Sequence, residues 1–365
     1  MKYFARIIPG SAGVLTGNFL LALALLALVF AFACAPHHHA SDDDVGQDDD
    51  ASPLSDDDND DDDDDDVASE WSAMDSGASA NLSAIWGFSG SDVFVVGEQG
   101  TILHYEGTSW TAMAGANANN YLTGVWGSSH SDVFAVGCPK AATTILHFDG
   151  ASWSPVLTMP IGCGYAVWGF SPSDVFVSGG GLVLHFDGTS WSSTIVAEQL
   201  FGLWGSSHSD VFGVGEYDYG IGLVVHYNGV AWSVMTTNVA PSGELSRVWG
   251  TSPSNVYAVG YSLMAPYNWT FYCQYNGAPW WCDESDIDPS ISGFTAVWGL
   301  SPNDLFAVGG FGAPSRSLVA HFDGRAWTTM PTNAPAALGA VWGSSATDVF
   351  AVGEAGTILH YNPAE

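Results

Sequence analysis

Aspartate and histidine recur in pairs along this 365-residue chain. Asp92 is followed by His104, Asp132 by His147, Asp174 by His185, Asp210 by His226, Asp304 by His321 and Asp348 by His360. A carboxylate beside an imidazole can shuttle protons, ligate a metal, or fix the tautomer and orientation of the ring in a structural network. A seventh position carries Asn255 with Gln274. Where the acid is lost the imidazole is lost too, so the partners of each pair are expected to touch. Six equivalent copies favour a structural network over a catalytic centre. A shared metal is disfavoured because the histidines sit on separate repeats. Strand and sheet spacings then keep neighbours about 10 Å or more apart, whereas zinc holds its ligands at about 2 Å. The expectation is an Asp–His hydrogen bond within each repeat, joined by a Trp indole, with no metal and no other cofactor.

Few other residues suggest a site. Two positions before a recurring Trp stand Ala84, Gly124, Ala166, Gly202, Arg247, Ala296 and Ala340. Arg247 is the odd member. It either receives an anionic group or pairs with Glu244, and the local salt bridge is the preferred reading. Tyr261, Tyr267 and Trp269 fall in an insertion read as a loop, and Tyr217 and Tyr219 in a similar one. Aromatic side chains on rigid loops suit a sugar ring or a protein partner. A sialidase-type arginine cluster is not expected, because Arg316 and Arg325 belong to different connections from Arg247. The chain has no nucleophile elbow, P-loop, HExxH or CxxC. A carboxylate pair for glycoside cleavage stays open.

A repeat sets where these residues lie. The phrase VWGSSHSDVFAVG, Val125–Gly137, has seven versions, whose tryptophans are Trp86, Trp126, Trp168, Trp204, Trp249, Trp298 and Trp342. Their spacings are 40, 42, 36, 45, 49 and 44 residues, a period that with β-type sequence means a propeller. One unit divides into Leu82–Trp86, Asp92–Gly97, Thr101–Tyr105 and Ser109–Met113, rich in Val, Ile, Phe, Tyr and Trp. Asp-Gly and Asn-Gly turns recur, as at Asp149-Gly150 and Asn228-Gly229. The last repeat stops before its fourth strand, and the missing piece, Ser69–Met74, stands at the other end of the domain. The predicted fold is therefore all-β. It is a seven-bladed β-propeller of four-stranded antiparallel blades, closed by an N-terminal strand around Trp71. The seven tryptophans are read as packing between blades.

The repeats resemble the tryptophan-rich propeller repeats of bacterial exported proteins. They are also similar to Asp-box and photosystem-assembly-factor-type propellers, on Val96-Gly97, Gly100-Thr101-Ile102-Leu103, Gly107 and Trp110. The chain departs from a strict Asp-box, with Asp-Gly where that motif has Asp-x-Gly. The resemblance spans residues 67–365 and implies the fold. It also implies a role in assembling another exported complex as one functional reading. Propellers host lyases, hydrolases, sensors and plain scaffolds, so the fold alone names no activity.

Residues 1–33 read as a signal peptide: Lys2 and Arg6 precede the apolar run Phe19–Ala33. Cys34 follows small residues as in a bacterial lipobox and is the expected lipidation site, with ordinary signal cleavage and retention as a short anchor left open. Residues 34–66 read as a disordered Asp-rich tether, with 16 Asp between 41 and 66. His37, His38 and His39 are taken as incidental. Residues 67–365 form the propeller, with 23 acidic and four basic residues. That balance excludes nucleic acid, which needs a basic footprint, and leaves a lipid anchor as the contact with membrane. The four remaining cysteines imply two disulfides in an exported domain. Closeness pairs Cys138 with Cys163 and Cys273 with Cys282, with other connectivities open. Together these features predict a monomeric outer-membrane or cell-surface lipoprotein, with a secreted or periplasmic location as the alternative, and a non-enzymatic propeller that binds a glycan or protein. The alternative is a carbohydrate-active hydrolase or lyase with its site at the channel mouth. Carboxylates converging with a basic residue there would favour the enzyme, and a channel lined by Ala and Gly the scaffold.

Overall fold

Runs such as DVFVVG, Asp92–Gly97, are apolar at consecutive positions rather than alternate ones, and all but the first residue are buried. A strand reads this way when both of its faces are covered. Here the covers are the neighbouring blades. The computed structural model describes residues 70–115, 117, 120–140, 142–196, 199–217, 221–238, 243–262, 269–284, 292–311 and 317–363. The signal, Cys34, the tether, Tyr219, Tyr267 and Arg316 lie outside them, as does the side chain of Trp269.

Twenty-eight strands form seven four-stranded antiparallel sheets, with no α-helix among the described residues. The first blade is Leu82–Ser89, Asp92–Gly97, Ile102–Tyr105 and Trp110–Ala112, from the axis outward. Its innermost strand runs three residues past Trp86, because Ser89 pairs with Asp92 across a tight turn after a bulge at Gly87. The innermost strands of successive blades lie against one another, and Leu338–Ser345 of the seventh returns to Leu82–Ser89 of the first. The chain is a closed seven-bladed β-propeller.

The closure is a strand exchange between the ends of the domain. Trp71–Met74 is the outer strand of the seventh blade, with Trp71 opposite Tyr361 and Met74 opposite Ile358. Trp71 is buried against Phe306 of the sixth blade and Tyr361 of its own. Ser76 Oγ–H adds a 2.6 Å hydrogen bond to the Gly356 carbonyl.

The seven repeat tryptophans fall into two sets. Trp126, Trp204, Trp298 and Trp342 are buried between blades, their rings seated over Gly169, Gly250, Gly343 and Gly87 of the following blade. No Cβ fits beneath those rings, which is why Gly follows Trp in the repeat. Trp86, Trp168 and Trp249 turn toward the axis instead. Trp86 and Trp168 meet edge-on at 5.6 Å, and Trp168 meets Trp249 at 5.8 Å. In the first and third blades the vacated seats, over Gly127 and Gly205, are taken by Phe88 and Phe170. Packing between blades therefore accounts for four of the tryptophans, and the other three meet across the channel.

Candidate binding site at the channel mouth

The Asp–His pairs define one face of the ring. Each Asp opens the second strand of its blade. Each His lies opposite a Phe or Tyr-type position of that strand, as His104 lies opposite Phe94. The Nε2–H groups of His104, His147, His185, His226, His321 and His360 donate to their aspartates at 2.7–2.8 Å. The imidazoles stack on the Phe rings, as His104 does on Phe94 with centroids 4.2 Å apart. The indole is not the third member: Trp86 and Trp249 donate instead to the Gly127 and Gly299 carbonyls of the next blade. Serine takes that place in three blades. The hydroxyls of Ser128 and Ser206 donate to Asp132 and Asp210 at 2.5 Å, and Ser344 to Asp348. In the fifth blade Gln274 reaches the Tyr257 hydroxyl at 3.1 Å, while Asn255 bonds Ser252.

Two histidines outside the repeat pattern join this network. His130 Nδ1–H donates to Asp92 at 2.9 Å and His208 Nδ1–H to Asp174 at 2.9 Å, each from the turn of the following blade. A comparison confined to single repeats misses them. The signal was present in the pairing of Phe88 with His130 and of Phe170 with His208 in consecutive repeats.

The opposite end of the channel opens into a cavity of about 390 Å³. All seven innermost strands reach it near their first residues, so it lies on the axis. Tyr121, Tyr165, Phe201 and Tyr261 supply aromatic walls, and Glu244, Glu354 and Arg247 supply charge. Deeper in, Ala84, Gly124, Ala166, Gly202, Ala296 and Ala340 surround a smaller space of about 110 Å³ closed by the inward tryptophans. Arg247 touches both cavities.

Arg247 and Glu244 do not form the salt bridge expected from their spacing. Arg247 Nη1 donates at 2.9 Å to the carbonyls of Phe201 and Ser246. No ion pair to Arg247 occurs among the described residues. Tyr261 stands directly across the strand pair from Glu244 and hydrogen-bonds its carboxylate. Burial raises the Glu244 carboxyl above its ordinary range, against the lowering effect of that bond. Burial likewise pushes the Tyr261 and Tyr165 hydroxyls up, and pushes the Arg247 guanidinium down, opposed by the nearby hydroxyls of Tyr121 and Tyr261. Tyr165 is anchored by its hydroxyl to Gln199 at 2.8 Å and packs edge-on against Phe201.

Other candidates separate from this site. Tyr261 is not in a loop; it ends up within the strand Asn255–Ser262, opposite Thr270, and Trp269 begins the strand Trp269–Tyr275. Pairing of Tyr261 with Thr270 and of Ser262 with Trp269 extends the hairpin of the fifth blade. Tyr217 ends Asp210–Tyr217, is exposed, and does not line the cavity. Tyr257, Tyr272, Tyr275 and Trp280 pack between blades. The disulfides are Cys138–Cys163, which ties the second blade to the third, and Cys273–Cys282, which joins directly opposed residues of the fifth.

No known family profile matches the chain, and no curated protein matches its sequence. Solved structures share the fold. YCF48 bound to D1 peptide superposes with a TM-score of 0.59 at 16% identity, over 81% of this chain and 97% of that one. YCF48 from Cyanidioschyzon merolae gives 0.63 at 14% identity, over 82% and 100%. A catalytically inactive virginiamycin B lyase from Staphylococcus aureus with quinupristin gives 0.61 at 10% identity, over 80% and 98%. At these identities the likeness is one of fold.

Proposed function

We propose that this propeller is a recognition module that binds a peptide segment of a protein partner across its channel mouth, held at the cell surface by a lipid anchor on Cys34 and the acidic tether. The observation that carries the reading is Arg247. It is a half-buried cation held by two carbonyls, with no acid paired to it among the described residues, in a cavity walled by four aromatic rings. Such a site is shaped for a ligand with an acidic or carbonyl group and an apolar body. YCF48 bound to D1 peptide, a propeller of the same fold, supports a peptide as the ligand class. The Ala- and Gly-lined channel, closed by indoles, supports a scaffold rather than a passage.

A second reading rests on Glu244. Its raised carboxyl shares the cavity with Arg247 and Tyr261, the convergence that a hydrolase or lyase would need. A displayed-peptide library and a glycan array, with product analysis by mass spectrometry, separate the two. Peptide retention that Arg247→Met abolishes, without products, supports recognition. Products that vanish in Glu244→Gln support the enzyme, and glycan retention alone replaces the peptide with a sugar.

A further inference from the structure

Six Asp–His pairs serve the frame, and two of them hold a third group that the frame does not require. We propose that Asp92, His104 and His130, and equally Asp174, His185 and His208, form twin binding sites for a first-row divalent transition ion such as Zn²⁺. They lie on the face opposite the Arg247 mouth.

The case begins with what the other blades do. An aspartate that accepts from its own histidine has a second carboxylate oxygen to satisfy. In three blades Ser128, Ser206 or Ser344 does so, four residues before the aspartate. In the first and third blades that position holds Phe88 and Phe170, and an imidazole arrives from the next blade instead. A serine suffices for the structural task, so the imported imidazole calls for a separate account.

In each group one ligand atom from each of the three residues lies within 4.8 Å of the others. Asp92 is 2.8 Å from His104 Nε2 and 2.9 Å from His130 Nδ1, and Asp174 is 2.7 Å from His185 Nε2 and 2.9 Å from His208 Nδ1. Tetrahedral zinc at about 2.0–2.2 Å from N and O ligands needs them only slightly farther apart, at roughly 3.3 Å. The inner rings are fixed by stacking on Phe94 and Phe176. The outer rings are free to adjust, with His130 57% and His208 54% exposed, and they leave an open path for the ion. On binding, the proton of each neutral imidazole moves to its other ring nitrogen, so the coordinating nitrogen presents a lone pair and no net charge is lost. Two imidazoles and one carboxylate select zinc, copper or nickel over magnesium or calcium, and a formal charge of −33 raises the local cation concentration. The objection that repeat histidines stand too far apart applies to successive strand positions. It does not apply here, because the second imidazole comes from a turn.

The test is titration of the full chain with ZnCl₂ by calorimetry, in a His37→Ala/His38→Ala/His39→Ala background that removes the tail imidazoles. His130→Gln, His208→Gln and the double variant are compared with that background. Glutamine keeps an N–H donor for the aspartate but is a poor zinc ligand. We expect two equivalents above the weak binding of the acidic tract, one lost with each single substitution. Any residual binding in the double variant should be at least about tenfold weaker. Phe88→Ser/His130→Ala, which installs the serine arrangement of three other blades, should lose the same equivalent as His130→Gln. Unchanged stoichiometry and affinity in the double variant overturn the proposal.

Discussion

Replacing Trp71 by Ala tests whether the N-terminal strand truly closes the ring. Trp71 is 3% exposed and lies in the seam between the sixth and seventh blades, with ring centroids 6.4 Å from Phe306 and 5.3 Å from Tyr361. Truncating a buried Trp to Ala costs about 3–5 kcal/mol, the lost transfer energy plus the cavity left behind. An unfolding entropy of roughly 2.1 cal/mol/K per residue over roughly 300 residues gives about 0.6 kcal/mol/K, so the midpoint should fall by about 5–8 °C. Calorimetric melting of the wild type and Trp71→Ala measures this. Trp110→Ala, at the matching position of the first blade and 9% exposed, is the internal standard. The two should fall together, because both fill the same seat in an uninterrupted ring. A Trp71 variant within about 0.5 kcal/mol of wild type, beside a strongly destabilised Trp110 variant, would refute closure by this strand, since that is the cost of a surface substitution.

Three further outcomes follow from the same structure. Removing Cys138–Cys163, which spans 25 residues, should cost about 3.5 kcal/mol by loop entropy, and removing Cys273–Cys282, which spans 9, about 2.6 kcal/mol; denaturant unfolding of paired Cys→Ala variants checks the order. Gly188 sits at φ 86° with the Ser173 Cβ 2.6 Å from where its own Cβ would be, so Gly188→Ala should destabilise by at least about 1–2 kcal/mol in the same assay. Burial raises the Glu244 carboxyl in the folded state, so its contribution is full below the ordinary carboxylate range and is lost as pH rises through the folded value. Glu244→Gln should therefore match wild-type stability in acid and exceed it at neutral pH, and an advantage that grows toward acid would reverse the assignment.

The blades were legible in the sequence because each solves the same local problem with the same residues. Trp-Gly spacing, Asp-Gly turns and doubly buried Val-Phe runs repeat wherever a sheet must be covered on both sides. The circular offset was legible for the same reason: Trp71 and Trp110 occupy matching phrases. The site was less legible, because it is made where repeats differ and where chain segments distant in sequence meet. Arg247 stood out by type, but its partners did not. Glu244 is three residues away in sequence, yet a bulge between Leu245 and Arg247 and the cross-strand position of Tyr261 give its carboxylate to the tyrosine. Tyr121, Tyr165 and Phe201 carry no repeat signature, since each is set at the mouth only by where its innermost strand begins.

Phe88 and Phe170 show how one substitution in a repeat can reorganise a seam. Each stands where three other blades have Ser, and each ring takes the glycine seat that its own blade's tryptophan would otherwise occupy. Trp86 and Trp168 are thereby displaced to the axis, where they meet edge-on and narrow the channel. The same change removes the serine hydroxyl from the aspartate and leaves its oxygen to His130 or His208. The inward turn of Trp86 and Trp168 and the outer Asp–His–His groups are thus two consequences of a single position. A repeat protein can acquire function in this way without altering its frame: the two blades that carry Phe at this position release an indole inward and recruit an imidazole across the seam.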